Sequence, residues 1–261
     1  MCILNIKQLF KPIYIGIKRG VLKKRLLYVS YEKLSSVKSL LVIAPHPDDE
    51  ILGVCSCIMR ILERKHPVYL VYLTDGETSL KDLMPAKVAE ARVNISKKIL
   101  EIMSFNFANV YRFHYPDGKL PREGETGYDR MTGRLAEVMK GMKPDAVMVT
   151  HPLETWPYDH VAASEIARSA LLEAELDDVV LYGYWVWLPY SLPMKRFSEI
   201  DWQNTVRVPV GEAMTTKKRL MSAYLGPLAP NGKPWNGVLP KSMLKMFDYP
   251  YEILTLLDNK T

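Results

Sequence analysis

Leu40-Leu41-Val42-Ile43-Ala44-Pro45-His46-Pro47-Asp48-Asp49-Glu50 joins an unbroken apolar run to one imidazole and three consecutive carboxylates. The apolar residues read as a buried strand, so the polar ones sit just beyond its carboxyl end. Three adjacent carboxylates repel one another and raise each other's pKa unless a cation compensates them. A divalent metal is the simplest such cation, and His46 and Asp49, three residues apart, can converge on it from one loop. The stretch reads as half of a metal site.

Working outward, apolar strand-like runs alternate with segments of helical period. Strands are expected over 40–44, 68–74, 109–114, 146–150 and 179–188. Helices are expected over 51–64, 84–103, 130–140 and from His160 through 173. This order argues for an α/β fold, a mostly parallel, doubly wound sheet with helices on both faces. Ligands of such sheets gather at the carboxyl ends of the strands. Further on, 206–210 reads as an edge strand and 212–224 as a helix closing the sheet. Residues 226–240, rich in Pro and Gly, read as an ordered loop over the site. No GxGxxG or Walker-type loop is present, which leaves dinucleotide and nucleoside triphosphate binding without support.

The other half of the metal site is expected at another strand end. After the fourth strand comes Thr150-His151-Pro152-Leu153-Glu154-Thr155-Trp156-Pro157-Tyr158-Asp159-His160. His46, Asp49 and His160 together make a two-His, one-carboxylate set with a position left open, ordinary for a catalytic zinc site. Fe2+ suits the same donors. A structural zinc more often takes four ligands including thiolates, and there is no CxxC to supply them.

These two motifs together resemble the PIG-L/LmbE family of zinc-dependent de-N-acetylases. Leu73-Thr74-Asp75-Gly76-Glu77, Glu90-Ala91-Arg92 and Tyr115-Pro116-Asp117-Gly118 extend the resemblance across roughly residues 39–225. It implies a Rossmann-like fold and hydrolysis of an N-acetyl group on a GlcNAc-type amino sugar, often in a glycolipid or glycoconjugate. It also implies zinc on His46, Asp49 and His160, Asp48 as general base, and Arg92 and Asp117 at the sugar or its appended group. The family usually carries a second His three residues before the last ligand, where this chain has Pro157. That His is assigned to the tetrahedral intermediate. His151, on the same loop, is the expected substitute, weighed equally against an ordinary loop histidine. Asp159, next to His160, is expected to orient an imidazole. Trp156 is the candidate for lining the sugar site, whereas most of Tyr182, Tyr184, Trp185, Trp187 and Tyr190 are expected in the core.

The formal charge of +6 is unevenly spread over the 261 residues. Residues 1–40 carry nine Lys and Arg against the single acid Glu32, and the rest holds 26 basic and 28 acidic residues. A basic arm (1–36) followed by one catalytic domain (37–261) is expected. Residues 21–31 are compatible with a basic amphipathic helix, either touching an anionic membrane or packed on the body. Nucleic-acid binding is not expected, since no recognised module accompanies the charge. Three cysteines are too few for a disulfide framework. No secretory signal or spanning segment is expected, which points to a cytoplasmic protein, peripheral at the inner membrane face if the arm binds lipid. The competing functions are hydrolysis of another small-molecule amide on the same scaffold and a non-catalytic glycan-binding role.

Overall fold

The computed structural model describes residues 6–258, with side chains from residue 13. Cys2 and the first five residues of the basic arm lie outside the described residues. The chain begins with α1 (Ile6–Leu26) and the short β1 (Ser30–Tyr31). Then come β2 (Leu40–Ala44), α2 (Asp49–Glu63), β3 (Val68–Thr74), α3 (Pro85–Ile102) and β4 (Val110–Tyr115). Next are α4 (Tyr128–Met142), β5 (Ala146–Thr150), α5 (Tyr158–Glu173), β6 (Val180–Tyr184) and α6 (Leu188–Ser191). The chain finishes with β7 (Thr205–Pro209), α7 (Ala213–Leu225), α8 (Lys241–Leu244) and β8 (Tyr251–Leu257).

One eight-stranded sheet results, in the order β1-β7-β8-β6-β5-β2-β3-β4. All neighbours are parallel except β8, which runs antiparallel to both β6 and β7. Strand alternation divides the core. Leu40, Val42 and Ala44 pack with α2 residues on one face, and Leu41 and Ile43 pack with α4 and α5 on the other. From β2 the chain builds outward to β3 and β4, then returns to place β5 on the other side of β2. The carboxyl ends of β2 and β5 therefore form a topological switch point, the place where such sheets bind ligands.

The expected strand over 179–188 stops at Tyr184. The carboxylate of Glu154 accepts the Val186 and Leu188 N–H groups (2.6 and 2.8 Å), which removes them from any ladder and starts α6 instead. The expected edge strand becomes β7, an interior strand, because β1 pairs along its outer side while β8 lies between it and β6. The arm helix ends at Leu26 instead of running to 31. Arg207 of β7 donates to the carbonyls of Val29 and Leu27, drawing the chain into β1. Among the described residues no helix is long and apolar enough to cross a membrane.

The helix α2 is two pieces across a break at Val54 (φ −138°, ψ 23°). A Cβ at Gly53 would lie 2.3 Å from the Tyr184 ring, so that close approach needs glycine. Beyond the break, Glu252 of β8 accepts the Ser56 and Cys57 N–H groups (2.9 and 3.1 Å) and the Ser56 hydroxyl (2.6 Å). It serves as a cap supplied from a distant strand. Its charge is met by Lys217 of α7 at 2.7 Å, and Lys217 also donates to the Leu52 carbonyl. Cys55 and Cys57 are free and buried beside this network, and burial raises both thiols above their usual pKa.

Candidate active site

The three consecutive carboxylates are pulled in three directions, which relieves the repulsion expected of them. Glu50 turns into the core, where it accepts the hydroxyls of Tyr72 (2.8 Å) and Tyr224 (2.5 Å) and the N–H of Asp48 (3.0 Å). Burial raises its pKa to about 7 against those hydrogen bonds. Asp49 faces two imidazoles. Asp48 faces a cavity, and its backbone sits at φ 129°, a strained conformation of the kind found at functional sites. The Glu50 bond to the Asp48 N–H and the Ile51 and Leu52 N–H bonds to the Asp48 carbonyl hold it there.

His46 and Asp49 do converge: the Asp49 Oδ2 lies 3.2 Å from His46 Nδ1 and 3.3 Å from His160 Nε2. All three side chains are buried and their donor atoms lie within 4.8 Å of one another. The Nδ1 of His160 is committed to Glu154 at 2.6 Å, whereas its Nε2 is buried without a hydrogen bond. A histidine whose Nδ1–H is given to a carboxylate presents an Nε2 lone pair, the tautomer that ligates metals. The donor set therefore fits a divalent cation held by His46, Asp49 and His160. Burial disfavours charge on His160, but Asp49 and Glu154 overcome it and push its pKa up to about 9. His46 is likewise raised, against burial, by Asp117, Asp159 and Asp49. Asp49 is held below the usual carboxylate range by the two imidazoles, again against burial. Negative charge concentrated here draws protons, as it would draw a cation.

His46 also shares a second donor set with Asp117 and Asp159, at 3.1 and 3.2 Å from its Nε2. Those two carboxylates have other duties. Asp117 accepts the N–H and hydroxyl of Thr78, and Asp159 accepts the Gly118 and Leu120 N–H groups. They anchor the turn after β4 over His46. Asp159 thus meets an imidazole as expected, that of His46, while the imidazole of its neighbour His160 is oriented by Glu154. Gln in place of Glu154 is expected to weaken zinc affinity about 10–100-fold, read by competition with a chromogenic chelator. Unchanged affinity would show that the Glu154 contact does not tune the ligand.

A cavity of about 300 Å³ opens on these residues, with Asp48, Asp117, Trp156, Trp187 and Asn236 in its wall. Asp48 Oδ2 is held by Asn236 Nδ2 (2.9 Å) and Arg92 (3.3 Å), and no described hydrogen bond uses its Oδ1. Burial raises Asp48 to about 6, Arg92 opposes, and Asp49 adds to the rise. Arg92 is buried and its guanidinium is spent on Asp48 and on the carbonyls of Gly76 and Pro47 (3.0 and 2.6 Å). It braces the loop that carries the site. Trp156, 56% exposed, packs edge-on against Trp187 at 4.5 Å on the cavity wall.

His151 is not brought into this cavity. It is buried behind the loop, its Nδ1 accepting the Leu153 N–H and its ring edge-on to Trp185. Burial lowers its pKa to about 3, which favours the neutral imidazole over the imidazolium that a general acid needs. The expected substitution for the missing histidine fails because the His151 ring packs over Gly183 and against Trp185 and takes the Leu153 N–H, away from the cavity lining. Sequence reading also missed Glu154, Trp187 and Asn236. Glu154 lies in the quoted loop, but nothing local distinguishes it from Asp159. Asn236 comes from the loop over 226–240, where only its spatial position marks it.

The fold and site define an α/β protein with a buried two-His, one-carboxylate donor set that could hold a cation and a neighbouring carboxylate, Asp48, at the sheet's switch point. The sequence profile of the GlcNAc-PI de-N-acetylase (PIG-L) family matches residues 41–171, half of the chain, and the protein belongs to that family. Diacetylchitobiose deacetylase of Thermococcus kodakarensis is 27% identical over 131 residues, covering 49% of this chain and 45% of that protein. The chain spans less than half the length of the curated relatives it matches. Among solved structures, N,N'-diacetylchitobiose deacetylase from Pyrococcus horikoshii superposes with a TM-score of 0.64 at 17% identity, over 94% of this chain and 92% of that one. The 4-carboxy-2-hydroxymuconate hydratase GalB of Pseudomonas putida KT2440 superposes with 0.60 at 16% identity, over 84% and 95%. The shared fold thus accompanies both a deacetylase and a hydratase, and the reaction must be argued from the site.

Proposed function

We propose that the protein is a metal-dependent hydrolase that removes the acetyl group from a GlcNAc-type amino sugar. The observation that carries this is the buried Nε2 of His160, which has no hydrogen bond and faces Asp49 with its Nδ1 locked on Glu154, beside Asp48, whose Oδ1 no described hydrogen bond uses. Family membership and the names of its deacetylase relatives support the choice of an acetamide. A divalent cation bound by His46, Asp49 and His160, for which zinc is the natural candidate, supplies Lewis-acid polarisation of the amide carbonyl.

The chain's own residues do the rest. Asp48 takes a proton from the attacking water on Oδ1, while Arg92 and Asn236 fix Oδ2. Its pKa near 6 suits a group that must both accept a proton and return it near neutrality. With His151 buried elsewhere, Asp48 delivers that proton to the departing amine, giving acetate and the free amino sugar. Trp156 and Trp187 line the cavity as aromatic surface on which a pyranose can stack, and Asp117, in the same lining, is placed to accept a sugar hydroxyl. A glycolipid or lipid-linked glycan is the substrate form we favour, because an apolar wall beside a polar pocket suits an amphiphile.

The test is acetate release from a panel of N-acetylglucosamine conjugates, using as-purified, chelated and zinc-restored protein. Release that stops on chelation and returns with zinc is the expected result. Bound metal with no acetate from any conjugate would move the reading to a different amide. Protein that binds no metal would overturn it.

A further inference from the structure

The helix α1 is docked by one face only. Leu22 and Leu26 are fully buried against Trp185, Leu188, Leu192 and their neighbours. Lys18, also buried, donates to the Tyr190 carbonyl of α6 at 2.6 Å, and the Tyr14 hydroxyl accepts the Met194 N–H at 3.1 Å. Among the described residues the opposite face is uncovered. Ile13, Ile17 and Val21 follow one another at four-residue spacing and are 58, 55 and 38% exposed, with Tyr14 exposed beside them. At their C-terminal end the same row continues into exposed Lys24 and Arg25, with Lys23 nearby and Tyr28, 84% exposed, in the turn that follows. Described residues 13–31 contain no carboxylate.

Contiguous exposed apolar side chains rimmed by polar ones mark an interaction surface. Its chemistry combines aliphatic side chains along a helix, cations at one end and an aromatic ring at the boundary, which matches the surface of an anionic bilayer. A second copy of the chain is a poorer occupant, since the row offers no acid to meet Lys24 and Arg25. We propose that the exposed face of α1 docks the protein on an anionic lipid surface, with Ile13, Ile17 and Val21 entering the headgroup–acyl boundary and Lys23, Lys24 and Arg25 contacting lipid phosphates. The helix rests directly on α6, and Trp187, the residue before α6, lines the cavity. Docking therefore leaves α1 and the short α6 between the lipid surface and the cleft. The surface itself stands whatever amide the site cleaves.

The experiment is sedimentation of the full chain with vesicles of phosphatidylcholine alone and of phosphatidylcholine with about a third phosphatidylglycerol. Three proteins are compared: wild type, Ile17→Glu/Val21→Glu, and Lys23→Gln/Lys24→Gln/Arg25→Gln. All substituted side chains are exposed, and thermal melts followed by circular dichroism confirm that each variant folds. Wild type should sediment with the anionic vesicles. The apolar variant should bind at least tenfold more weakly and the charge variant roughly a hundredfold more weakly. No binding by wild type overturns the proposal. So does binding that survives Ile17→Glu/Val21→Glu, which would be adsorption by charge alone. So does a solution dimer abolished by the apolar variant without vesicle binding, which would assign the face to a second copy. Acetate release from a water-soluble conjugate, measured in parallel, should be the same in all three proteins, so failure of docking and failure of the hydrolase reading give different results.

Discussion

Asp48→Asn should reduce amide hydrolysis by about 10²–10⁴-fold while leaving metal content unchanged. The substitution is nearly isosteric, and its effect can be separated from a structural one because of how Asp48 is held. Its Oδ2 accepts from Arg92 and Asn236, and an asparagine oxygen can accept the same two bonds. What disappears is the proton-accepting Oδ1, which no described hydrogen bond uses. The loss should fall on kcat, since proton transfer occurs only in the reaction and not in binding. Asp49→Asn and His160→Ala should instead lose the metal itself, because these side chains fill the donor set. Activity retained in Asp48→Asn would remove Asp48 from the role of base. A protein that only binds glycan would keep its ligand affinity in this variant and show no acetate release in wild type.

The second large effect concerns stability. Lys217 and Glu252 form an ion pair, 2.7 Å apart and almost without solvent, in which Glu252 also carries the N–H groups that begin the second piece of α2. Removing one partner strands the other charge in the interior, which typically costs about 3–5 kcal/mol. Lys217→Met and Glu252→Gln should each destabilise by that amount in urea titrations. The double variant should lose clearly less than the sum, since it leaves no buried charge unpaired. Single variants within about 1 kcal/mol of wild type would mean that water reaches the pair. The first turn of α2 carries Asp49, so weakened variants should also bind metal less tightly.

Legibility in the sequence followed the range of the interactions. The bounds of β2, β3 and β5 agree residue for residue with the apolar runs that announced them, because a strand buried on both faces must be continuously apolar. Convergence of His46 with Asp49 was legible because both belong to one turn, and His160 because its strand end had to lie beside that turn in a doubly wound sheet. β8 was not legible. It enters the sheet antiparallel between β6 and β7, some seventy residues from its first partner, and no local pattern encodes that pairing.

The sequence by itself therefore determined the α/β class, the strand ends that carry the site and the donor residues that meet there, since hydrophobic periodicity and the alternation of strand and helix are local properties of the chain. Only the tertiary structure decided which carboxylate each group faces. It gave Glu154 to His160, Glu50 to Tyr72 and Tyr224, Arg92 to Asp48, and placed His151 out of reach. Those pairings depend on distances of 2.5–3.3 Å between residues as far as 174 positions apart. In a desolvated interior an electrostatic partner is chosen by position in space, and composition or spacing along the chain carries no record of it.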